Sequence, residues 1–380
     1  MVRVCHVISG DLWAGAEVMA CHLLRHLQNE PGIALRVVLL NRGRLADELR
    51  SAGITVDVVE ENNLSFRQLV CSIHALLKAA PPHILHSHRY KENLVVFLVS
   101  RRLSGVRLVA SQHGLPETPG GHSGWRHRIK SRINFFVMAR FFHRVVPVSR
   151  DIMTLFVSDL GFCAERISVI PNGVELPVLP DRAEDVDVVT LGSSGRLFPV
   201  KDYPLMVRVV KEIGAAEKVR ALLAGEGPER SRIERGIAEN DLEGAFRLVG
   251  HLDAMDDFYR GLDIYLNTSV HEGIPMTILE AMAHGLPVIA PAVGGIPEII
   301  EDGVEGFLVA ERSPKKYAEK CLLLIRDSRL RRRMGAAARQ RVETCFSAAA
   351  MAAEYATLYR RMNSTAETAI VGDVSDRSAV

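Results

Sequence analysis

The feature that most constrains the fold of this 380-residue chain is a repeated alternation, in which short runs of Val, Ile and Leu are each followed by a longer segment of helical period. The runs fall at 2–8, 35–40, 54–59, 83–86, 106–111 and 144–149, and resume after a break at 187–194, 219–224, 246–249, 263–267, 287–290 and 307–309. Segments such as 16–28, 65–79 and 90–102 carry the i, i+3, i+4 spacing of helices. A strand that is apolar throughout has no solvent face, so it belongs in a parallel sheet covered by helices on both sides. The break begins with turn chemistry at Pro171-Asn172-Gly173-Val174-Glu175 and continues through a proline- and acid-rich stretch at 177–187, which marks an interdomain linker. The expectation is an α/β chain of two Rossmann-like lobes, 1–172 and 186–346, whose strand ends face each other across one cleft.

Beyond 314 the chain is helical and basic, with Arg329, Arg331, Arg332 and Arg333, and a further helix over about 347–363 carries Tyr355 and Tyr359. The small, polar residues 364–380 are expected to be disordered. The 47 basic residues nearly cancel the 45 acidic ones, which argues against a nucleic-acid partner. No apolar run approaches the roughly 18–20 residues that span a bilayer. The N-terminal apolar stretch is broken by His6 and ends in Ser-Gly, so it reads as a first strand and not as a signal peptide. Six scattered cysteines (5, 21, 71, 163, 321, 345) show no Cys-x-x-Cys pair and no zinc spacing, which predicts reduced thiols, a cytoplasmic location and no bound metal.

The most informative stretch is Val270-His271-Glu272-Gly273-Ile274-Pro275-Met276-Thr277-Ile278-Leu279-Glu280-Ala281-Met282-Ala283-His284-Gly285, directly after a strand. Pro275 suits a first helical position and Gly285 the residue past the helix end. The helix start offers the N–H groups of Met276 and Thr277, with a partial positive charge suited to a phosphate. Beside a diphosphate a carboxylate is repelled, so Glu272 and Glu280 are expected to accept from hydroxyls, of a sugar ring and of a ribose. Ser111-Gln112-His113-Gly114 ends a strand of the first lobe and aims His113 at the cleft. His6, His86, His88 and His271 lack that support, although His86 and His88 alternate about Ser87 at another strand end. Gly10 and Gly15 are too far apart for a Gly-x-Gly-x-x-Gly dinucleotide loop, and no Gly-Lys-Ser/Thr supplies a P-loop.

These residues resemble the Glu-x7-Glu signature of retaining glycosyltransferase family 4, and six other stretches match that family in order. They are Ala14-Gly15-Ala16-Glu17, Val169-Ile170-Pro171-Asn172-Gly173-Val174, Gly195-Arg196-Leu197 with Lys201-Asp202, Ala224-Gly225-Glu226-Gly227-Pro228, Val249-Gly250-His251, and Gly285-Leu286-Pro287-Val288-Ile289-Ala290 with Gly294-Gly295-Ile296-Pro297-Glu298. The match departs at Ala14, where the family has glycine. The resemblance implies a GT-B fold: an acceptor-binding N-terminal lobe to which the last helix returns, and a C-terminal lobe that binds a nucleotide sugar. It implies a hexosyltransferase of cell-surface polysaccharide or glycolipid biosynthesis, passing sugar from a UDP- or GDP-linked donor to a glycan or lipid-linked acceptor. His113 and Glu272 are then catalytic. Gly15, Arg196, Lys201, Gly250, His251, Gly273, Ile274, Pro275, Met276, Thr277 and Glu280 bind substrate, with Arg196 and Lys201 on the diphosphate in place of a metal or other cofactor. The implied chemistry is a front-side displacement in which the leaving phosphate helps take the acceptor proton. Two alternatives share the fold, a nucleotide-sugar epimerase and a non-catalytic nucleotide-sugar-binding protein.

One segment departs from the neutral average. From Thr118 to Arg150 there is no acidic residue, while Arg126, Arg128, Lys130, Arg132, Arg140, Arg144 and Arg150 are interleaved with Trp125, Ile129, Ile133, Phe136, Phe141 and Phe142. Residues 122–144 are therefore expected to form an amphipathic surface for an anionic membrane, holding the protein on the inner face of the membrane.

Overall fold

The computed structural model describes residues 1–11, 13–114, 125–179 and 187–364. Parts of the linker (180–186), the start of the basic segment (122–124) and all but one residue of the polar tail (365–380) lie outside the described residues. The chain divides into two compact units, Met1–Pro171 with Ala348–Val380, and Asn172–Ser347.

The first unit is built on β1 (Val2–Ile8), β2 (Ile33–Leu39), β3 (Val56–Val58), β4 (Ile84–Ser87), β5 (Arg107–Gln112) and β6 (Arg144–Pro147). Between and after these strands run α1 (Gly15–Leu27), α2 (Arg44–Ser51), α3 (Phe66–Leu77), α4 (Tyr90–Ser100), α5 (Trp125–Phe141) and α6 (Arg150–Ser158). The six strands pair in parallel in the order β3-β2-β1-β4-β5-β6. The second unit holds β7 (Val189–Ser194), β8 (Val219–Ala224), β9 (Phe246–Gly250), β10 (Ile264–Leu266), β11 (Val288–Pro291) and β12 (Gly306–Val309). Its helices are α7 (Tyr203–Gly214), α8 (Arg230–Ala238), α9 (Asp256–Arg260), α10 (Met276–Ala283), α11 (Ile296–Ile299), α12 (Pro314–Arg326) and α13 (Ser328–Cys345). Its strand order, β12-β11-β10-β7-β8-β9, is the same doubly wound arrangement. In each unit the order reverses beside the first strand, between β1 and β4 and between β7 and β10, and ligands of open α/β sheets bind at that reversal.

All twelve strands lie within two residues of the apolar runs in the sequence. The inner strands are buried because both faces are covered: Val4, Cys5, Val7 and Ile8 of β1 are each 2% exposed or less, as are Ile264, Tyr265 and Leu266 of β10, while the edge strands β3 and β9 are only partly buried. The last helix, α14 (Ala348–Asn363), rejoins the first unit and packs against α1 and β1. Its sequence fits that place, since Met351, Tyr355, Leu358, Tyr359 and Met362 recur at helical spacing and all are buried.

Helix α5 corrects one expectation. It is not simply amphipathic: Val137, Met138 and Phe142 anchor it in the core, yet Ile129, Ile133 and Phe136 stand 46%, 47% and 65% exposed on its outer side. Lys130, Arg132 and Arg140 are exposed with them. The mixed aromatic pattern conceals two apolar faces, one spent on the core and one not. Among the described residues no helix is long and apolar enough to cross a membrane.

Candidate active site

In the second unit three strand-end loops are stacked backbone on backbone. Gly195 N–H donates to the Ala224 carbonyl (2.9 Å), Leu197 N–H to Glu226 (2.9 Å), and Gly225 N–H to Gly250 (2.8 Å). Gly225 has φ +138°, and a Cβ there would lie 1.9 Å from the Gly195 oxygen. Glycine is therefore required at this close approach, and the loops after β7, β8 and β9 present backbone to whatever they bind. Arg196 extends from the first of them, exposed, its guanidinium 4.9 Å from the Phe198 ring centroid. His251, in the third, is exposed and lies 3.7 Å from Asp253.

The loop after β10 carries Glu272. Its carboxylate accepts from Lys201 Nζ (2.6 Å) and Ser269 Oγ (2.6 Å), with both charged side chains largely shielded from solvent. The sequence suggests two equivalent cations, but the structure makes them different: Lys201 is neutralised by Glu272, while Arg196 is held over an aromatic ring. Gly294 clasps the loop, since a Cβ at that residue would lie 2.0 Å from the Glu272 backbone carbonyl oxygen. Gly273, Ile274 and Pro275 are buried beneath it, and Asn172 Nδ2 donates to the Ile274 carbonyl (2.8 Å).

Pro275 sits one residue earlier than expected, as the extended N-cap of α10, and its carbonyl accepts from Ile278 and Leu279. The N–H groups of Met276 and Thr277 meet no acceptor among the described residues, so the helix start offers two donors and a positive dipole end close to Glu272 in the chain. Glu280 is not a solvated helical glutamate. Tyr259 Oη donates to its Oε2 (2.6 Å), and Ser194 Oγ ties Tyr259 (3.0 Å) and Tyr265 (3.1 Å) to the end of β7. Burial holds the Glu280 carboxyl above its ordinary range, opposed by the Tyr259 hydrogen bond.

Sequence reasoning missed Arg312. Its guanidinium donates to the carbonyls of Ser269 (2.8 Å) and Thr268 (2.9 Å) and to Asp202 Oδ2 (2.5 Å), joining the Glu272 loop to the Lys201 loop. Nothing near Arg312 marks it in the sequence, because its partners lie 43 to 110 residues away.

In the first unit Gly15 is the exposed first residue of α1, and the left-handed backbone of that loop falls on Gly10 instead, at φ +72°. Glu17, from the Ala-Gly-Ala-Glu stretch, is buried against Arg89, and Ser9 donates both N–H (2.8 Å) and Oγ (2.6 Å) to buried Glu92. His113 follows β5, half-buried, its Nε2 3.3 Å from His88 Nδ1 and the two rings parallel at 5.5 Å. His86 and His88, weak candidates one by one, are buried beside it with His6. The signal was present: the His-Ser-His alternation of β4 puts both rings on one sheet face, and β1 brings His6 into register with His86.

Two doubly wound units of identical strand order, each with polar groups gathered at its strand reversal, make up the GT-B fold. Residues 13–177 match the family described as Glycosyltransferase Family 4, and residues 180–341 match Glycosyl transferases group 1. The chain belongs to glycosyltransferase family 4. It is 26% identical over 290 residues to N-acetyl-alpha-D-glucosaminyl L-malate synthase of Bacillus anthracis, covering 73% of this chain and 74% of that one. It is 27% identical over 289 residues to D-inositol 3-phosphate glycosyltransferase of Frankia alni, covering 67% and 68%. Among solved structures, Anabaena HepE in complex with UDP superposes with a TM-score of 0.80 at 21% identity, covering 95% of this chain and all of that one.

Proposed function

We propose that this glycosyltransferase moves a hexosyl group, with retention of anomeric configuration, from a nucleoside-diphosphate sugar to a glycan or lipid-linked acceptor of cell-surface polysaccharide or glycolipid synthesis. The observation that carries the reading is the pairing of Lys201 with Glu272 in the loop that leads into α10, where Met276 and Thr277 offer two N–H donors. A diphosphate replaces the carboxylate as the partner of Lys201, and charge leaving with the nucleotide is met by Lys201, Arg196 and the helix start. Glu272, released from Lys201, accepts from sugar hydroxyls, and Glu280 accepts from the ribose through Oε1, since Tyr259 takes its other oxygen. The backbone platform of Gly225 and Gly250 lies alongside for the base. His113, in the first unit, contacts the transferred sugar. Catalysis by positioning and charge alone needs no further cofactor.

UDP-containing structures of HepE support a uridine nucleotide, and the name of the B. anthracis relative supports an N-acetylglucosaminyl donor. The outer face of α5, with Ile129, Ile133 and Phe136 among exposed cations, supports a cytoplasmic enzyme peripheral to an anionic inner membrane surface.

The test begins with thermal shifts in UDP, GDP and ADP, where a nucleotide bound at 100 times its Kd stabilises by about 2.7 kcal/mol. UDP is expected to give the largest shift. Nucleotide release from the matching sugar donor should then accelerate with acceptor, and the product's anomeric proton coupling should match the donor's. An inverted coupling removes the retaining assignment. Nucleotide release that acceptors never accelerate, with no glycosylated product, removes the transfer reading.

A further inference from the structure

Behind His113 lies a group of buried side chains that sugar transfer, as described above, does not use. His6, His86 and His88 are 0%, 0% and 3% exposed, and Tyr355 and Tyr359 from α14 are 1% and 0% exposed. With Ser111 they form one continuous chain of contacts. Tyr355 Oη lies 2.7 Å from Ser111 Oγ, Ser111 Oγ 2.9 Å from His86 Nε2, and His86 Nδ1 2.5 Å from Tyr359 Oη. Tyr359 Oη lies 3.2 Å from His6 Nε2, His6 Nδ1 2.9 Å from His88 Nε2, and His88 Nδ1 3.3 Å from His113 Nε2. Every ring nitrogen of His6, His86 and His88 is used.

Proton bookkeeping then restricts this chain to two states. Burial keeps the three imidazoles neutral: it pushes His6 down to about 3, and burial followed by the neighbouring rings puts His86 and His88 well below their ordinary value. A neutral imidazole has one N–H and one lone pair, and each hydroxyl has one hydrogen. Each link needs one hydrogen, so all donors must run in the same direction. Turning one ring alone sets two lone pairs or two hydrogens against each other in a dry core, which is costly. The tautomers of all four histidines are therefore coupled. Tyr355 decides between the two directions, because Ser111 is the one hydrogen-bond partner of its hydroxyl among the described residues. If Ser111 donated to Tyr355, the phenol hydrogen of a side chain only 1% exposed would have no acceptor, whereas in the other direction the end hydrogen falls on Nδ1 of half-buried His113, just past β5, where a ligand oxygen can accept it; Tyr355 therefore donates and the direction runs toward His113.

We propose that this chain is a tautomer lock on His113: His88 donates to His113 Nε2, and His113 is held in the Nδ1–H form, a donor toward an oxygen of the transferred sugar. Tyr359, Ser111, His86, His6 and His88 are positioning residues that act through it. The lock itself is independent of the proposed reaction, and only the sugar contact rests on that reading.

Histidine-selective 15N NMR reads the tautomer directly, with the His113 signals assigned by their loss in His113→Gln. The wild-type protein is expected to show a protonated Nδ1 and an unprotonated Nε2 at His113. Tyr359→Phe cuts the chain in the middle, and Ser111→Ala, a smaller change for the core, separates it from Tyr355. Each should convert His113 to a mixture of tautomers with averaged shifts. An Nε2–H form in the wild type, or a single unchanged tautomer in both variants, would overturn the lock. In kinetics Tyr359→Phe should lower kcat about tenfold with little change in donor KM, and in a His113→Gln background it should cost nothing further, whereas a merely structural loss would persist there. A tautomer shift without any change in kcat keeps the lock and sinks the sugar contact assigned to His113. The ligand atoms of His6, His86 and His88 also lie within 4.8 Å of one another, so purified protein should be analysed for metal. One zinc per chain would replace these hydrogen bonds with metal bonds and overturn the proposal.

Discussion

Glu272 and Lys201 were individually legible in the sequence, but their pairing was not, since 71 residues separate them and only the register of β7 and β10 brings their loops together. The pairing makes the consequences of removing each partner unequal. Glu272→Ala takes away the competitor for Lys201, so nucleotide affinity should be unchanged or slightly tighter, while turnover falls on the order of 10²–10³, the cost of losing a preorganised polar contact at a reacting centre. Lys201→Ala removes a charged donor to phosphate and leaves Glu272 held by Ser269 alone, so nucleotide affinity should fall by roughly 1.5–3 kcal/mol, about tenfold or more. Isothermal titration with nucleotide alongside transfer rates separates the two. Equal loss of affinity in both variants would mean that the pair is a structural tie and does not exchange with a ligand. Arg312 explains why a motif search is incomplete at this scale: it holds the Glu272 loop through carbonyl oxygens, which leave no trace in side-chain identity, and the Lys201 loop through Asp202, 110 residues away.

At the scale of elements the strands were the easiest to read, because a strand buried on both faces is apolar at most of its positions, and the polar exceptions are hydrogen-bonded inside the core, as His86 is to Ser111 and His6 to Tyr359. Helix α2 was harder, since its eight residues include only Leu45, Ala46 and Leu49 as buried positions. Helix α5 was misread for the opposite reason: having apolar residues on two faces, it shows no clean stripe. Its outer face carries the membrane prediction. Three exposed cations contribute roughly 1 kcal/mol each beside an anionic lipid surface. Ile129, Ile133 and Phe136 add burial on insertion. Replacing these three with Ser should leave the melting temperature nearly unchanged, because they contribute little to the core, and should abolish co-sedimentation with anionic vesicles. Neutral vesicles should bind the wild-type protein weakly. Sedimentation that is indifferent to lipid charge and to the Ser substitutions would remove α5 as the docking face.

The whole molecule has one property that no local pattern discloses: its first unit is discontinuous in sequence and its second is not. The Tyr and Met spacing of α14 showed that the helix needed a core, but only the structure identifies α1 and β1 as its partners. Met351, Tyr355, Leu358, Tyr359 and Met362 are all 8% exposed or less, and at roughly 1.5–3 kcal/mol for each large buried side chain their loss matches the entire stability of an ordinary domain, about 5–15 kcal/mol. The chain cut after residue 171 should therefore fail to fold, losing the histidine chain along with its two tyrosine hydroxyls. Supplying 348–364 as a separate peptide should restore cooperative melting. The fragment 172–347, continuous and holding both Lys201 and Glu272 with the glycine platform, should fold alone and bind nucleotide with an affinity near that of the intact chain, without transferring sugar. Circular dichroism melts of the two fragments, with and without the peptide, measure the first expectation, and titration of 172–347 with nucleotide measures the second. A cooperative transition in 1–171 alone would show that α14 decorates a core complete without it.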